Sequence, residues 1–334
     1  MRKNIETNAA YEDAQQPKSN KGAKVAMGLI MLMIIVVLLV FLVANHYLDM
    51  INKEDLVDVI GAENETFDGD GAGGYGADGV SWSAVKPLND GKLINILLIG
   101  QDRRPGEGRQ RSDSMILCSI NPKTKEIAMV SFLRDLYVEL PGDYSANRLN
   151  APYVFGGFDL LEKTLKLNFG ITIDGCFEVD FNGFQDAIDV VGGVDIELSA
   201  AEANVVGGGA VAGMNHLNGA QALEYARIRK LDNDFGRTER QRKVLSSVLS
   251  SLKGSSLKET TALAEELLPC MTTDLNNTQI MMMVLRCYKA LNSDINTYHV
   301  PEEGAYYNAN INGMAVLVPD RQLIRDQLED YLPL

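Results

Sequence analysis

The chain has 334 residues, 46% of them hydrophobic and 23% charged, and 31 Lys+Arg stand against 45 Asp+Glu for a net charge of −14. That apolar content suffices for one sizeable domain, and the acidic balance argues against a broad surface for nucleic-acid phosphates. Three separated histidines (His46, His216, His299) argue against a histidine-rich metal centre, and the lack of HExxH, GxSxG and GxxxxGK sets aside most zinc proteases, elbow-type serine hydrolases and P-loop NTPases.

Residues 1–24 carry Arg2, Lys3, Lys18, Lys21 and Lys24. Val25 to Ala44 follows as twenty residues without a charge, about 30 Å as a helix and so the thickness of a hydrocarbon core. A cleaved signal peptide has a shorter apolar stretch, about 7–15 residues, and a small-x-small cleavage site; the exit Asn45-His46-Tyr47-Leu48-Asp49 has none. The pattern predicts an uncleaved single-pass signal anchor. In the thirty residues beyond the span Lys53 is the sole basic residue, so 1–24 are expected in the cytoplasm and the rest outside the cell membrane.

Residues 45–88 read as a flexible tether, acidic and glycine-rich over 61–79. A formal GxGxxG (Gly69, Gly71, Gly74) lacks the preceding strand and following helix of a nucleotide site. A calcium-loop pattern from Asp68 fails at Ala72 and at Gly79, where a bidentate glutamate is required.

The globular domain is expected over 89–334. Apolar runs at 93–100, 115–120, 126–133, 176–181 and 194–198 predict strands. Helical spacing predicts helices over 158–167, 184–191, 219–224 and 238–252, then 263–268 and 278–291. A strand at 295–301, an apolar stretch at 311–319 and a last helix from Asp320 complete an α/β layered domain. The methionines of "IMMMVL" (280–285) read as core. Cys118 and Cys176 lie in apolar runs and are expected as buried thiols; Cys270 and Cys287 remain a candidate disulfide, and no CxxC supports a redox or zinc role.

Arginines carry the chemistry. "YARIRK" (225–230) reads as a short strand that puts Arg227 and Arg229 on one face, about 6–7 Å apart. Their repulsion would be relieved either by a bound anion or by ion pairs with the protein's own acids. Next comes "FGRTERQRKVL", where Thr238 and Gln241 have the spacing of a capping box. That reading places Arg237 just before a helix N-terminus, which favours anions, and leaves Gln241 either a cap or a ligand contact. "GQDRRPGEGRQRSDSM" (100–115) follows a buried strand and holds Asp102, Arg104, Arg111 and Asp113. It reads as a magnesium site of one or two carboxylates or as a mixed-charge turn. Arg134 and Asp135 end an apolar strand, and Arg148 follows in "NRLNAPY".

With these motifs in place the sequence resembles the LytR-CpsA-Psr family. "NILLIGQDRR", "RSDSMILCSINPKTKEIAMVSFLRD", "RLNAPYVFGG", "DFNGFQDAIDVVGGVDIEL", "HLNGAQALEYARIR" and "DFGRTERQRKVL" occur in that family's order over about residues 92–253. The resemblance implies an α/β/α sandwich with a central mixed β-sheet, a single N-terminal transmembrane helix and an apolar channel for a lipid. It implies a phosphotransferase that moves a phosphate-linked glycopolymer, a teichoic acid or a capsular polysaccharide, from a polyprenyl pyrophosphate carrier to peptidoglycan. It puts Mg²⁺ (or Mn²⁺) on Asp102 and Asp113. It makes Arg134, Arg227, Arg229 and Arg237 the catalytic phosphate-binding arginines, with Arg111, Arg148 and Gln241 as further substrate-phosphate contacts. Arg148 stands where the family often has lysine, and Ala220 where many members have glutamate. A non-catalytic polyprenyl-pyrophosphate binder and a lipid pyrophosphatase remain alternative readings.

Overall fold

The computed structural model describes residues 42–54, 80, 82, 84–103, 107–252, 261, 264–290 and 293–334. The chain divides into two bodies, Met1–His46 and Tyr47–Leu334. In the first, residues 42–46 are helical. No helix among the described residues is long and apolar enough to cross a membrane. The expected span lies outside the described residues except at 42–44, as does the expected tether over 55–79.

The second body is built on a seven-stranded sheet in the order β1 (Asn52–Lys53), β10 (Met271–Thr273), β7 (Gly175–Asp180), β2 (Ile94–Gln101), β3 (Ser112–Ile120), β4 (Ile127–Phe132), β11 (Ile295–Val300). The pairs β2–β3, β3–β4 and β7–β10 are antiparallel, and β2–β7, β4–β11 and β1–β10 are parallel. The sheet is therefore mixed, as the resemblance implies. β4 is buried at all six positions, the pattern of a strand covered on both faces.

Among the described residues the longer helices are α1 (Pro152–Phe169), α2 (Phe181–Val190), α3 (Ala200–Val206), α4 (Gly219–Arg227), α5 (Asp234–Leu252), α6 (Asn277–Cys287) and α7 (Arg321–Tyr331). One sheet face packs Leu97, Ile99, Leu117, Val130 and Phe132 against Leu161, Leu165 and Phe169 of α1 and Ile324 and Leu328 of α7. The opposite face packs Ile94, Ile120 and Ile127 against Cys287 of α6 and Ala290. Each such side chain contributes roughly 1.5–3 kcal/mol on burial, so both layers are held by apolar contact. The arrangement is an α/β/α sandwich.

Beside it, β8 (Val194–Leu198) pairs with β9 (Gly213–Leu217) as a separate hairpin. β8 alternates buried and exposed residues, the signature of a strand with one wet face; its inner face joins α2, α4 and α5 through Ile188, Tyr225 and Val244. The apolar stretch 311–319 is also a hairpin, β12 (Tyr306–Ile311) and β13 (Met314–Pro319). Asn312 and Gly313 between them have φ of 51° and 78°, the left-handed pair of a two-residue hairpin turn. Short β5 (Tyr137–Val138) and β6 (Asn147–Arg148) form a third ladder.

All four cysteines are free, so the candidate Cys270–Cys287 disulfide is not formed. Cys287 instead packs near Cys118 across the sheet face, and burial pushes the Cys118 thiol up to about 12. Cys176 donates to Glu162 Oε1 at 3.1 Å. Burial, reinforced by the nearby Asp274 charge, pushes the Glu162 carboxyl up to about 8, although the thiol donation pulls the other way. The folded chain thus holds a proton that the unfolded chain releases near its ordinary carboxylate value. Its contribution to stability is complete below about pH 4.5 and is lost as pH rises through about 8. Glu162→Gln should therefore flatten the fall in melting temperature between pH 5 and pH 9, measured by calorimetry. An equal fall in both proteins would refute the assignment.

Candidate active site

The site forms where three parts of the chain end together. Asp102 follows β2, Asp113 is the second residue of β3, and Arg134 comes two residues after β4. In the β2–β3 ladder Gly100 pairs with Ser114, but Gln101 pairs with Ser112. Asp113 is thus the extra residue of a β-bulge, a device that re-aims a side chain at the rim of a sheet.

Around Asp113 the arginines converge. Arg134 Nη1 donates to Asp113 Oδ1 at 2.5 Å, and Arg229 Nη2 lies 3.4 Å from Asp113 Oδ2. Arg237 Nη2 donates to the Asp113 carbonyl at 3.3 Å and to Asp234 Oδ2 at 2.8 Å. Asp234 is also 3.8 Å from Arg134 Nε. Asp135 bridges Arg134 at 3.7 Å and Arg148 at 3.6 Å, and Arg148 Nη2 donates to the Ala315 carbonyl at 2.9 Å. Arg111 belongs to the same cluster: its guanidinium is pulled below its usual range by burial, and then by the charges of Arg148 and Arg134. Arg227 stands at the rim, 3.4 Å from Asp102 and 4.7 Å over the Phe181 ring. Arg111, Arg134, Arg148, Arg229, Arg237 and Asp113 are thus joined by contacts in one cluster, whereas Arg227 and Asp102 pair with each other beside Phe181.

The electrostatics favour an anion. Arg111, Arg134, Arg148, Arg229 and Arg237 face Asp113, Asp135 and Asp234, which leaves positive charge in excess within an acidic protein. Arg237 is 2% exposed, and among the described residues its buried Nε and Nη1 find no hydrogen-bond partner, nor does the buried Nε of Arg134. Burial lowers the Arg237 pKa to about 10, with repulsion from Arg134 and Arg229 acting in the same direction and Asp234 opposing it. Buried donors of this kind are costly unless an acceptor reaches them. Phosphate oxygens match arginine forks in charge and geometry.

Two local expectations need correction. Arg227 and Arg229 do not alternate on a strand. The Asn218/Gln221 capping box starts α4, which runs through to Arg227, and Arg229 lies in the link to α5. Nor does Thr238 cap a helix. α5 begins at Asp234, with Asn233 Oδ1 accepting from the Phe235 and Gly236 amides, and Thr238 Oγ1 donates to the Phe235 carbonyl. Arg237 is consequently inside the helix and not ahead of it. Gln241 lies one turn further along the same face, so it does not cap the helix, and its buried Oε1 has no hydrogen-bond partner among the described residues.

Sequence reasoning missed Asp234 and Arg240. "DFGR" places Asp234 and Arg237 at i and i+3, the spacing that could have revealed the pair. Arg240 is buried, with Nε donating to Glu202 Oε1 at 2.8 Å and Nη1 to the Ile228 carbonyl at 3.0 Å, and it pairs with Asp232. Ile228 lies between Arg227 and Arg229, so Arg240 positions the segment that carries both. Two cavities, of about 820 Å³ beside α6 and about 620 Å³ between β8 and α5, are lined by none of the cluster's arginines. Neither is the apolar channel implied by the resemblance.

The model of the LytR_cpsA_psr family matches residues 70–330. The polyisoprenyl-teichoic acid–peptidoglycan teichoic acid transferase TagU of Bacillus anthracis is 39% identical over 176 residues, 52% of this chain and 57% of the relative. Its namesake in Oceanobacillus iheyensis is 35% identical over 243 residues, 70% of this chain and 73% of the relative. The chain thus spans little more than half the length of the first relative and nearly three quarters of the second. The crystal structure of Bacillus subtilis TagV superposes with a TM-score of 0.57 at 29% identity, covering 74% of this chain and 100% of TagV. A family match over most of the chain, on the fold and the motifs described, means that this protein belongs to the LytR_cpsA_psr family.

Proposed function

We propose that this protein is an extracytoplasmic phosphotransferase, held at the cell membrane by one N-terminal anchor. It moves a phosphate-linked glycopolymer, a teichoic acid or a capsular polysaccharide, from a polyprenyl pyrophosphate carrier to peptidoglycan. The observation that carries the reading is the meeting of Arg134, Arg229 and Arg237, from three separate chain segments, at Asp113. The names of the TagU relatives support the same reaction class.

In this reaction a sugar hydroxyl of peptidoglycan attacks the phosphorus that bears the glycopolymer. The new P–O bond forms as the bond to the lipid phosphate breaks; the lipid phosphate leaves with the electron pair, and the proton of the attacking hydroxyl passes to solvent. Charge grows on the bridging and non-bridging oxygens, where fixed guanidinium groups stabilise it by position and electrostatics. Arg237, inside α5, needs little reorganisation to act, and Gln241 presents an amide to the same ligand. The Asp102 and Asp113 carboxylates suit a hard cation that shares its shell with phosphate oxygens. Arg227 and Arg229 touch them at 3.4 Å, loose contacts that an incoming cation and phosphate can rearrange, while the tight 2.5 Å bond from Arg134 to Asp113 Oδ1 leaves Oδ2 as the Asp113 oxygen open to a cation. A magnesium or manganese ion held there would supply Lewis-acid stabilisation to the pyrophosphate.

The test is transfer by the full-length protein in membranes, with lipid-linked glycopolymer and peptidoglycan fragments. Arg229→Ala is expected to lower transfer by about a hundredfold without change in melting temperature, because Arg229 is half-exposed. Full activity in that variant would remove the arginine assignment. Release of glycopolymer at an equal rate without peptidoglycan would make the protein a hydrolase, and binding without product would make it a lipid-pyrophosphate receptor.

A further inference from the structure

We infer that α6 rests on the membrane, its outer face lying against the anionic lipid surface where the N-terminal anchor leaves the bilayer; the inference relies on the anchor proposed above. α6 turns Ile280, Met283 and Cys287 inward. A solvent-facing helix should be polar on its other side. Here that side carries Met282, Val284 and Leu285, and Tyr288 follows directly after the helix, each 53–63% exposed. At 100° per residue Val284, Leu285 and Met282 spread over about 160° of the helix surface away from Met283 and Cys287, with Arg286 exposed next to Met282 and Tyr288 and Lys289 exposed in the turn that follows. The Lys289 Nζ lies 5.7 Å from the centroid of the Tyr288 ring. Long apolar side chains, a tyrosine and cations on a helix and the turn after it are what a bilayer interface selects.

The occupant follows from where the chain enters. Leu48 and Ile51 pack with Ile280 and Met283, Asn277 Nδ2 donates to Asp49 Oδ1 at 2.5 Å, and β1 pairs with β10 directly ahead of α6. The apolar span ends at Ala44, so chain length keeps Leu48 within roughly 15 Å of the bilayer boundary. α6 is therefore tied to the segment that must lie nearest the lipid. The groove of about 820 Å³ beside it is lined by Lys53, Met282, Met283 and Arg286, with Asp174 as the acid. Its two cations suit a headgroup phosphate, and its methionines suit the first methylenes of an acyl chain.

The test places the photoreactive residue p-benzoylphenylalanine in the full-length protein, reconstituted in vesicles of phosphatidylglycerol and phosphatidylcholine. At Leu285 irradiation should give a lipid adduct; at Tyr307, equally exposed on β12, it should give none above background. Introducing Met282→Glu and Val284→Glu, both at exposed positions, should abolish the adduct at Leu285. A crosslink to a second copy, or no adduct at Leu285, overturns the inference. Alkaline carbonate extraction of the same vesicles examines the anchor separately: release of the protein refutes the anchor, whereas retention without an adduct refutes the α6 face alone.

Discussion

Arg237→Ala is expected to lower glycopolymer transfer by about a hundred- to a thousandfold, the loss typical of a preorganised charge aimed at developing phosphate oxygens. Arg237 is the most deeply buried member of the cluster, and its Nε and Nη1 have no hydrogen-bond partner among the described residues. The variant also strips Asp234 of its 2.8 Å partner. Burial already raises the Asp234 carboxyl pKa, against the pull of Arg237 and Arg134, so the orphaned acid can take up a proton, at a stability cost of about 1–3 kcal/mol. Melting temperature should fall modestly while activity collapses, and that divergence separates a catalytic role from a structural one. Arg237→Lys should recover part of the folding but little of the transfer, because an ammonium lacks the planar fork. The wild-type protein adds a pH signature. With the Arg237 pKa depressed to about 10, kcat/KM should fall as pH rises through that value, where an ordinary arginine would keep its charge. A profile flat to pH 11, or Arg237→Ala activity within about fivefold of wild type, would refute the role, since removing a single transition-state donor costs far more.

How far the sequence leads can be judged from particular residues. The run that became β4 was legible because it is buried at every position and a strand buried on both faces is nearly continuous in apolar residues, and those of β2 and β3 were legible through their apolar centres, Ile96–Ile99 and Met115–Cys118. The Asn312-Gly313 turn was equally legible, yet 311–319 reads as a single stretch when only its apolar residues are weighed. The arginine site is another matter. Its members are recognised through family motifs, and the two local patterns offered for their geometry both failed. Alternation in "YARIRK" lost to the Asn218/Gln221 box, which starts a helix that carries past Tyr225, a buried residue of the α4 face. The Thr238/Gln241 spacing lost to Asn233, whose side chain caps the helix earlier. Asp113's aim depends on a bulge, and a bulge is a property of two paired strands that neither displays alone. The burial of Arg237 and Arg240 on an otherwise charged segment likewise depends on what packs over α5.

Arg240→Ala should produce the largest loss of stability among single changes at the site, and a loss of transfer through the loop it holds. Its guanidinium joins Glu202 of α3, the Ile228 carbonyl and Asp232, so one side chain fastens both ends of the α4–α5 link to a neighbouring helix. Removing one partner from a buried ion-pair network costs about 3–5 kcal/mol, which for a domain of this size lowers the melting temperature by roughly 6–20 °C. Ile228 is itself buried, but without Arg240 its carbonyl loses a donor and the backbone between Arg227 and Arg229 loses its register against α5. Transfer measured far below the new melting point should therefore still be reduced, with KM rising more than kcat falls, because substrate phosphate meets a less ordered pair of arginines. Arg240→Lys distinguishes charge from geometry: a lysine can reach one carboxylate but cannot also hold the carbonyl. A melting temperature within about 2 °C of wild type, or a variant that unfolds earlier yet transfers normally when folded, would show that Arg240 does not position the arginine segment.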